Sequence, residues 1–371
     1  MKNLYSLIFL SFSMASQLSA QQQIIVGTYT NSEQCSSGGI YIYNFDEASY
    51  RYHLSYHTDN IVNPSFISLS PDKRHLFSVN ENGDQSAITS FAIDEKSGNL
   101  IKKDEKKTQG EDPCFLISDD NYIIVANYSG GSINVFKYNP DGKLSDIVQN
   151  IKFEGTGFNS KRQEKSHIHQ VQFSPDQQYV IATDLGLDKL YVFRYHKDGS
   201  PVLEKVSELD TKKGSGPRHL AFSKDGKFAY LVQELSGDLS VLSFENGKLK
   251  LLQEETLLSR KVRFNFRAAD IHLSANEKFL YVTNRDDADD ITAFEILKDG
   301  RVKKVQQIKT TGRNPRNFAI SPNDRLVLIA NQDTNRINIF TRDQETGLLS
   351  KTNHSIPVCS PVNVIFFEKG K

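Results

Sequence analysis

One phrase recurs along this chain and limits its possible folds more than any other feature. The phrase is a short apolar run, a serine, a turn pair and a second apolar run that ends in a polar residue such as asparagine. Its anchoring serines are Ser70, Ser118, Ser174, Ser223, Ser274 and Ser321. They recur about every fifty residues, and a period of this length is typical of solenoids and propellers. The chain is therefore predicted to be an array of similar units.

Each unit is predicted to contain four antiparallel strands. Apolar, β-branched and aromatic residues alternate over short stretches, without the 3.6-residue periodicity of helices. Glycine turns follow the third predicted strand, and several are Asp-Gly or Asn-Gly pairs, which suit the type I′ turns of hairpins. Four antiparallel strands per unit are typical of a propeller blade.

The two ends of the chain predict how the ring closes. Residues 24–57 hold a second, third and fourth strand without a first one, and residues 361–367 hold a first strand with nothing after it. Together they make a seventh blade, which removes the open strand edges of the array. We predict an all-β, seven-bladed β-propeller in which residues 21–371 form a single domain. Six or eight blades are the alternatives.

Composition excludes several classes of protein. Lysine plus arginine and aspartate plus glutamate each number 45, so no basic excess is available to bind nucleic acid. The three cysteines, Cys35, Cys114 and Cys359, cannot all pair and show no zinc spacing. Neither a disulfide scaffold nor a thiolate metal site is predicted.

Residues 1–20 predict a cleaved signal peptide. Lys2 precedes an apolar run over residues 4–14, and Ala20 ends the segment with a small residue. The run is shorter than the roughly 20 residues that span a bilayer, so no membrane span is predicted. We expect a periplasmic or secreted protein.

Several motifs resemble those of one family. They are VGTYT from Val26, NYSGG from Asn127, HIH from His167 and GPRH from Gly216. Together they resemble the propeller-type lactonases, which include bacterial 6-phosphogluconolactonases and are related to carboxymuconate cyclases. The resemblance covers essentially the whole mature chain. It implies a hydrolase that opens a sugar lactone to its acid. This reaction belongs to carbohydrate metabolism, for example to the pentose phosphate pathway.

The blade topology predicts where the site lies. The start of each first strand and the end of each second strand meet on one face of the ring, and the serine turns lie on the other. Equivalent first-strand positions form a circle at the channel mouth, namely Ser65, Cys114, His169, Arg218, Ala269, Arg316 and Val362. A second circle, at the ends of the second strands, includes Asn80, Glu81, Asn127, Asp184, Gln233, Glu234, Asn284, Arg285, Asn331 and Gln332.

These circles contain the groups that lactone hydrolysis needs, which are a base for water and cations for the oxyanion and any substrate anion. The resemblance implies a histidine, an arginine, a glutamate and a second arginine as catalytic residues. By motif these are His169, Arg218, Glu234 and Arg285, with Arg316 as the other candidate for the second arginine. Because mouth residues contribute little to core packing, their substitution is expected to leave the melting temperature within a few degrees of wild type.

The remaining site predictions concern substrate and metal. The predicted substrate-binding residues are His167, Arg316, Asn127, Asn284 and Asn331. Asparagine also closes β-turns, and that is the alternative role for Asn127 and Asn331. His167 and His169 point to the same side of a strand, as two metal ligands would, but no third ligand accompanies them. No metal or cofactor is predicted.

Two other functions remain open. A cycloisomerase of the carboxymuconate type could use the same residues to form a lactone, and a large apolar pocket face would favour it. A non-enzymatic propeller could present its channel mouth to glycans or proteins. The expected partner is a small lactone, phosphorylated or free, and the chain is expected to be a monomer or weak dimer.

Overall fold

The computed structural model describes residues 22–33, 35–259 and 265–368, which form seven four-stranded antiparallel sheets. Blade 1 contains β1 (Gln22–Thr28), β2 (Ile40–Asp46), β3 (Arg51–His57) and the last strand, β28 (Pro361–Glu368). Blade 2 contains β4 (Ile67–Leu69), β5 (His75–Asn80), β6 (Ala87–Ile93) and β7 (Leu100–Lys107). Blade 3 contains β8 (Pro113–Ser118), β9 (Tyr122–Asn127), β10 (Ser132–Tyr138) and β11 (Leu144–Lys152). Blade 4 contains β12 (Ile168–Phe173), β13 (Tyr179–Asp184), β14 (Lys189–Tyr195) and β15 (Leu203–Asp210).

The last three blades repeat this pattern. Blade 5 contains β16 (Pro217–Phe222), β17 (Phe228–Gln233), β18 (Asp238–Glu245) and β19 (Lys248–Thr256). Blade 6 contains β20 (Phe266–Leu273), β21 (Phe279–Asp286), β22 (Asp290–Ile296) and β23 (Val302–Lys309). Blade 7 contains β24 (Pro315–Ile320), β25 (Leu326–Asn331), β26 (Arg336–Arg342) and β27 (Leu349–Pro357). Two single-turn 3₁₀ helices, Gly83–Gln85 and Gln332–Thr334, lie in loops.

The two ends of the chain share blade 1, as the sequence predicts. In this sheet β1 lies between β28 and β2, and Ile24 is opposite both Phe366 and Tyr43. The prediction of a seven-bladed propeller closed by terminal strands is confirmed.

The recurring serine holds the first hairpin of most blades. In blade 2, Ser70 Oγ donates to Asp72 Oδ1 at 2.6 Å and accepts from the His75 amide at 3.0 Å. Ser174, Ser223, Ser274 and Ser321 make the same pair of contacts in their blades. The repeated phrase is therefore a turn that satisfies its own polar groups.

The core lies between neighbouring blades. Ile24 and Val26 of blade 1, for example, pack in one cluster with Leu328 and Ile339 of blade 7. Because each sheet buries both faces against its neighbours, the second strands are apolar almost throughout, and β9 is buried along its whole length.

A disulfide joins Cys35, in the loop after β1, to Cys359, in the turn before β28, with a Cα–Cα distance of 5.8 Å. The two cysteines are 324 residues apart in the sequence and meet only because the ring closes. The spacing of the cysteines gave no sign of this pairing, and one cross-link in a chain of this length is not a disulfide scaffold. Cys114 is free and buried.

The predicted signal peptide lies outside the described residues. Within the residues that are described, no helix is long and apolar enough to cross a membrane.

Candidate active site

A cavity of about 290 Å³ opens at the face where first strands begin and second strands end. We call it the mouth pocket. It is lined by Tyr29, Glu81, Asp112, Cys114, Tyr128, Ser129, Arg162, His169, Glu234, Arg267, Arg285 and Arg316. The lining residues come from all seven blades and their loops, so only the closed ring assembles the pocket.

First-strand residues reach this pocket because their strands bulge. Pairing in blade 4 passes from Ile168 opposite Asp184 to Gln170 opposite Thr183, which leaves His169 as the extra residue. Cys114 and Arg316 are the extra residues of equivalent bulges in blades 3 and 7. A bulge re-aims a side chain that would otherwise follow the pleat.

Glu234 is the centre of a buried ion cluster. Its Oε2 accepts from Arg218 Nε at 2.9 Å and lies 3.0 Å from Arg285 Nη2, and its Oε1 accepts from Arg162 Nη2 at 2.7 Å. Glu234, Arg218 and Arg285 have at most 4% exposed side chains, while Arg162 is partly exposed. We call these four residues the Arg-Glu cluster.

The electrostatics give Glu234 and His169 different protonation states. Burial alone would raise the pKa of Glu234, but Arg285, Arg218 and the other neighbouring cations hold it well below its usual range. Burial, together with Arg218, lowers the pKa of His169 well below its usual range. Glu234 is therefore ionised and His169 neutral near pH 7.

The ring nitrogens of His169 make only long contacts. Its Nε2 is 3.8 Å from Glu234 Oε2 and its Nδ1 is 3.7 Å from Cys114 Sγ, so neither makes a short hydrogen bond in the described residues. Its ring packs edge-on against Tyr128, with centroids 5.3 Å apart. Because His169 lines the pocket and its ring is neutral, one of its nitrogens is unprotonated and can accept a proton.

The two candidates for the second arginine both line the pocket, in different states. Arg285 is bound to Glu234 and to the backbone oxygen of Ala268. Arg316 lies over the ring of Tyr29 at 5.3 Å and donates no hydrogen bond to a described residue. Arg316 is thus the guanidinium most open to an anionic ligand.

A layer of first-strand residues lies one position further along from those that line the mouth pocket. Phe66 and Phe115 stack with centroids 3.9 Å apart. Asp270 holds His219 Nδ1 and His272 Nε2, each at 2.8 Å. A second cavity, of about 670 Å³, lies beneath this layer at the face of the serine turns.

His167 supports the pocket wall and does not line it. Its ring stacks on Tyr128 with centroids 4.4 Å apart, and its nitrogens contact Tyr128 O and Glu164 Oε1. Over the described ranges, no group of three or more histidine, cysteine, aspartate or glutamate side chains is placed to hold a metal ion.

The three predicted substrate-binding asparagines do not line the pocket. The amide of Asn127 donates to Ser132 and Asn134, that of Asn284 to Leu257 O and Asp290, and that of Asn331 to Ile329 O. All three are fully buried at the ends of second strands. They hold the strand ends in place and are left out of the substrate contacts proposed below.

Several lining residues had no predicted role. Arg162 comes from the loop between β11 and β12, which falls in the longest interval between anchoring serines. That interval is the one signal of an inserted functional loop. Arg267 makes a two-pronged pair with Asp286, at 2.7 and 2.8 Å.

Comparison with known proteins identifies the family. Residues 23–366 match the family model described as a seven-bladed β-propeller lactonase. The chain is 36% identical over 343 residues to a protein of Formosa agariphila named 6-phosphogluconolactonase, covering 90% of this chain and 96% of that one. It is 32% identical to the Bacillus subtilis protein of the same name, over 93% and 98% of the two chains. The solved structure of the periplasmic gluconolactonase of Pseudomonas aeruginosa superposes with a TM-score of 0.87 at 37% identity, over 93% of this chain and 98% of that one. The chain therefore belongs to the lactonase family of seven-bladed β-propellers.

Proposed function

We propose that this protein hydrolyses a sugar lactone to the open acid in the mouth pocket. One observation carries the proposal most directly, namely a neutral histidine whose ring nitrogens make only long contacts, in the same small cavity as an arginine that forms no ion pair with a described carboxylate. Relatives named 6-phosphogluconolactonase, at 32–36% identity over most of the chain, support the same reaction.

In this mechanism His169 activates the water. Glu234 is a poor base because three arginines already occupy its two oxygens. Its charge lies 3.8 Å from His169 and stabilises the imidazolium that forms when the water proton is taken. Arg285 lines the pocket and faces the oxyanion that develops on the lactone carbonyl, with Arg218 holding Glu234 behind it.

Arg316 is the proposed binding residue for an anionic group of the substrate. A guanidinium binds a phosphate or a carboxylate equally well, so Arg316 accepts a phosphorylated lactone or one with an acid group. The pocket lining is mainly charged or polar, with no large apolar face. This composition favours hydrolysis of a sugar lactone over closure of a carboxylated diene.

We propose that the protein is exported, with residues 1–20 removed and residues 21–371 as the mature chain. The Cys35–Cys359 disulfide supports this location, because disulfides persist mainly in oxidising compartments. A solved relative is named a periplasmic gluconolactonase. In that compartment the substrate is a free or scavenged aldonolactone.

A pH-indicator assay of the mature protein against phosphorylated and unphosphorylated lactones tests the function. We expect hydrolysis of at least one aldonolactone, and we expect His169→Asn to lower kcat by roughly 10²-fold, the usual scale for a lost general base. His196→Asn is the matched control, because His196 pairs with Glu204 on the outside of blade 4. Wild-type protein that opens none of the lactones contradicts the proposal.

We also propose that the reaction needs no metal ion. Activity is expected to be unchanged after dialysis against EDTA, since protein groups supply both the base and the cations. An activity lost in EDTA and restored by one added divalent metal would overturn this and make His169 a candidate ligand.

A further inference from the structure

A second carboxylate, that of Glu81, lines the mouth pocket from blade 2 and has no part in the mechanism above. Its Oε2 accepts from the Tyr29 hydroxyl at 2.7 Å and its Oε1 from the Ser65 hydroxyl at 2.6 Å. Among the described residues Glu81 forms no ion pair. Of the three carboxylates that line the pocket, Glu234 thus lies among arginines, whereas Glu81 lies between neutral hydroxyls.

The surroundings of Glu81 raise the proton affinity of its carboxyl group. Burial raises the pKa of the Glu81 carboxyl above its usual value, and the nearby Asp112 acts in the same direction. Arg316 and the two hydroxyl groups oppose this rise without reversing it. Cys114 also faces Glu81, and its thiol stays neutral because burial raises its pKa.

We propose that Glu81 is the general acid that protonates the ring oxygen of the lactone as the ring opens. The proposal rests on lactone hydrolysis in the mouth pocket. It assigns protonation of the leaving group to a residue separate from the base, with Glu81 entering the pocket from blade 2 and His169 from blade 4. A neutral histidine as the base and a carboxyl group of raised proton affinity as the acid divide the two roles between groups in different surroundings.

The step balances in atoms and protons. Water loses a proton to His169 as its oxygen bonds to the carbonyl carbon, and a tetrahedral oxyanion forms. The bond from that carbon to the ring oxygen then breaks, and the ring oxygen takes the proton of Glu81. The product is a hydroxy acid, and a proton passes from the imidazolium through solvent to the Glu81 carboxylate to restore the enzyme.

The first test is the dependence on the leaving group. Glu81→Gln is expected to lower kcat about 10²-fold on glucono-δ-lactone, whose leaving group is an alkoxide, and less than about fivefold on dihydrocoumarin, whose phenoxide leaves without an acid. Glu105→Gln removes an exposed carboxylate of the same blade and is expected to match wild type. Equal losses on both lactones would overturn the proposal.

The second test uses glucono-δ-lactone alone. The pH profile of kcat/KM is expected to fall on its alkaline side as Glu81 loses its proton. Tyr29→Phe keeps the ring under Arg316 but removes a hydrogen bond that favours the carboxylate, so this limb should move to higher pH. A limb that Tyr29→Phe leaves in place, or a wild-type profile without one, refutes the role of Glu81.

The two tests separate this proposal from the proposed function. If wild-type protein hydrolyses neither lactone, lactone hydrolysis itself fails. If wild-type protein is active and the Glu81 and Tyr29 variants behave like Glu105→Gln, only the assignment of the acid fails.

Discussion

Glu234 is a pocket residue whose charge also stabilises the fold. Its single negative charge pairs with three guanidinium groups, two of them fully buried. Removing one partner of a buried ion pair leaves an uncompensated charge in a medium of low dielectric constant. The expectation that mouth residues leave the melting temperature unchanged is therefore revised for Glu234.

We expect Glu234→Gln to lower the free energy of unfolding by about 3–5 kcal/mol, measured by urea denaturation at pH 7. Glu204→Gln, which removes a carboxylate with 58% exposure, should change it by less than about 0.5 kcal/mol. Because the folded pKa of Glu234 is lowered, its contribution is present above its unfolded pKa of about 4.3 and is lost as the pH falls through the folded value. The difference in the free energy of unfolding between wild type and Glu234→Gln should therefore become smaller at acidic pH. A difference that stays constant would contradict the stabilising role of the Arg-Glu cluster.

The secondary-structure elements that carry the site residues determine which of these residues could be predicted from the sequence. The serine turns repeat along the chain and indicate the first strands of blades 2 to 7, and topology then predicts His169, Arg218 and Arg316 at the channel mouth. The bulges that aim these side chains depend on pairing with a second strand and leave no local pattern. Arg162 was missed for another reason, since its loop belongs to no repeat.

The loop that carries Arg162 depends on Gln163. The side-chain amide of Gln163 is fully buried and donates to Leu185 O at 2.8 Å and to Asp188 Oδ1 at 2.7 Å. Its oxygen accepts a hydrogen bond from the backbone N–H of Asn159 at 2.8 Å. These contacts fasten a loop without regular structure to blade 4. The neighbouring guanidinium is thereby held against Glu234.

We expect Gln163→Ala to lower kcat/KM about tenfold in the lactone assay by releasing Arg162. Lys161→Ala, in an exposed position of the same loop, should match wild type. If Gln163 acts through Arg162, the double variant Gln163→Ala, Arg162→Ala is no less active than Arg162→Ala alone. Additive losses in kcat/KM would show that Gln163 acts by another route.

The Cys35–Cys359 disulfide stabilises the closure of the whole ring. It bridges 324 residues, and cross-links of long segments restrict the unfolded chain most strongly, with typical gains of about 2–4 kcal/mol. A Cys35→Ser, Cys359→Ser variant should lose stability on this scale in urea denaturation. Dithiothreitol should lower the stability of the wild-type protein to that of the variant and leave the stability of the variant unchanged. If the reductant destabilised both proteins equally, the disulfide would not be the cause.

The shared blade also sets the order in which this chain can fold. Each of blades 2 to 7 pairs strands that are neighbours in sequence, so its loops close at little entropic cost. The pairing of β1 with β28 joins the two most distant strands and needs the other six blades to be in position. Ring closure is therefore the slow event of folding, because contacts between distant residues form late. Until it occurs, β1 and β28 present unpaired strand edges that can capture another chain, so the yield of refolding should fall as protein concentration rises.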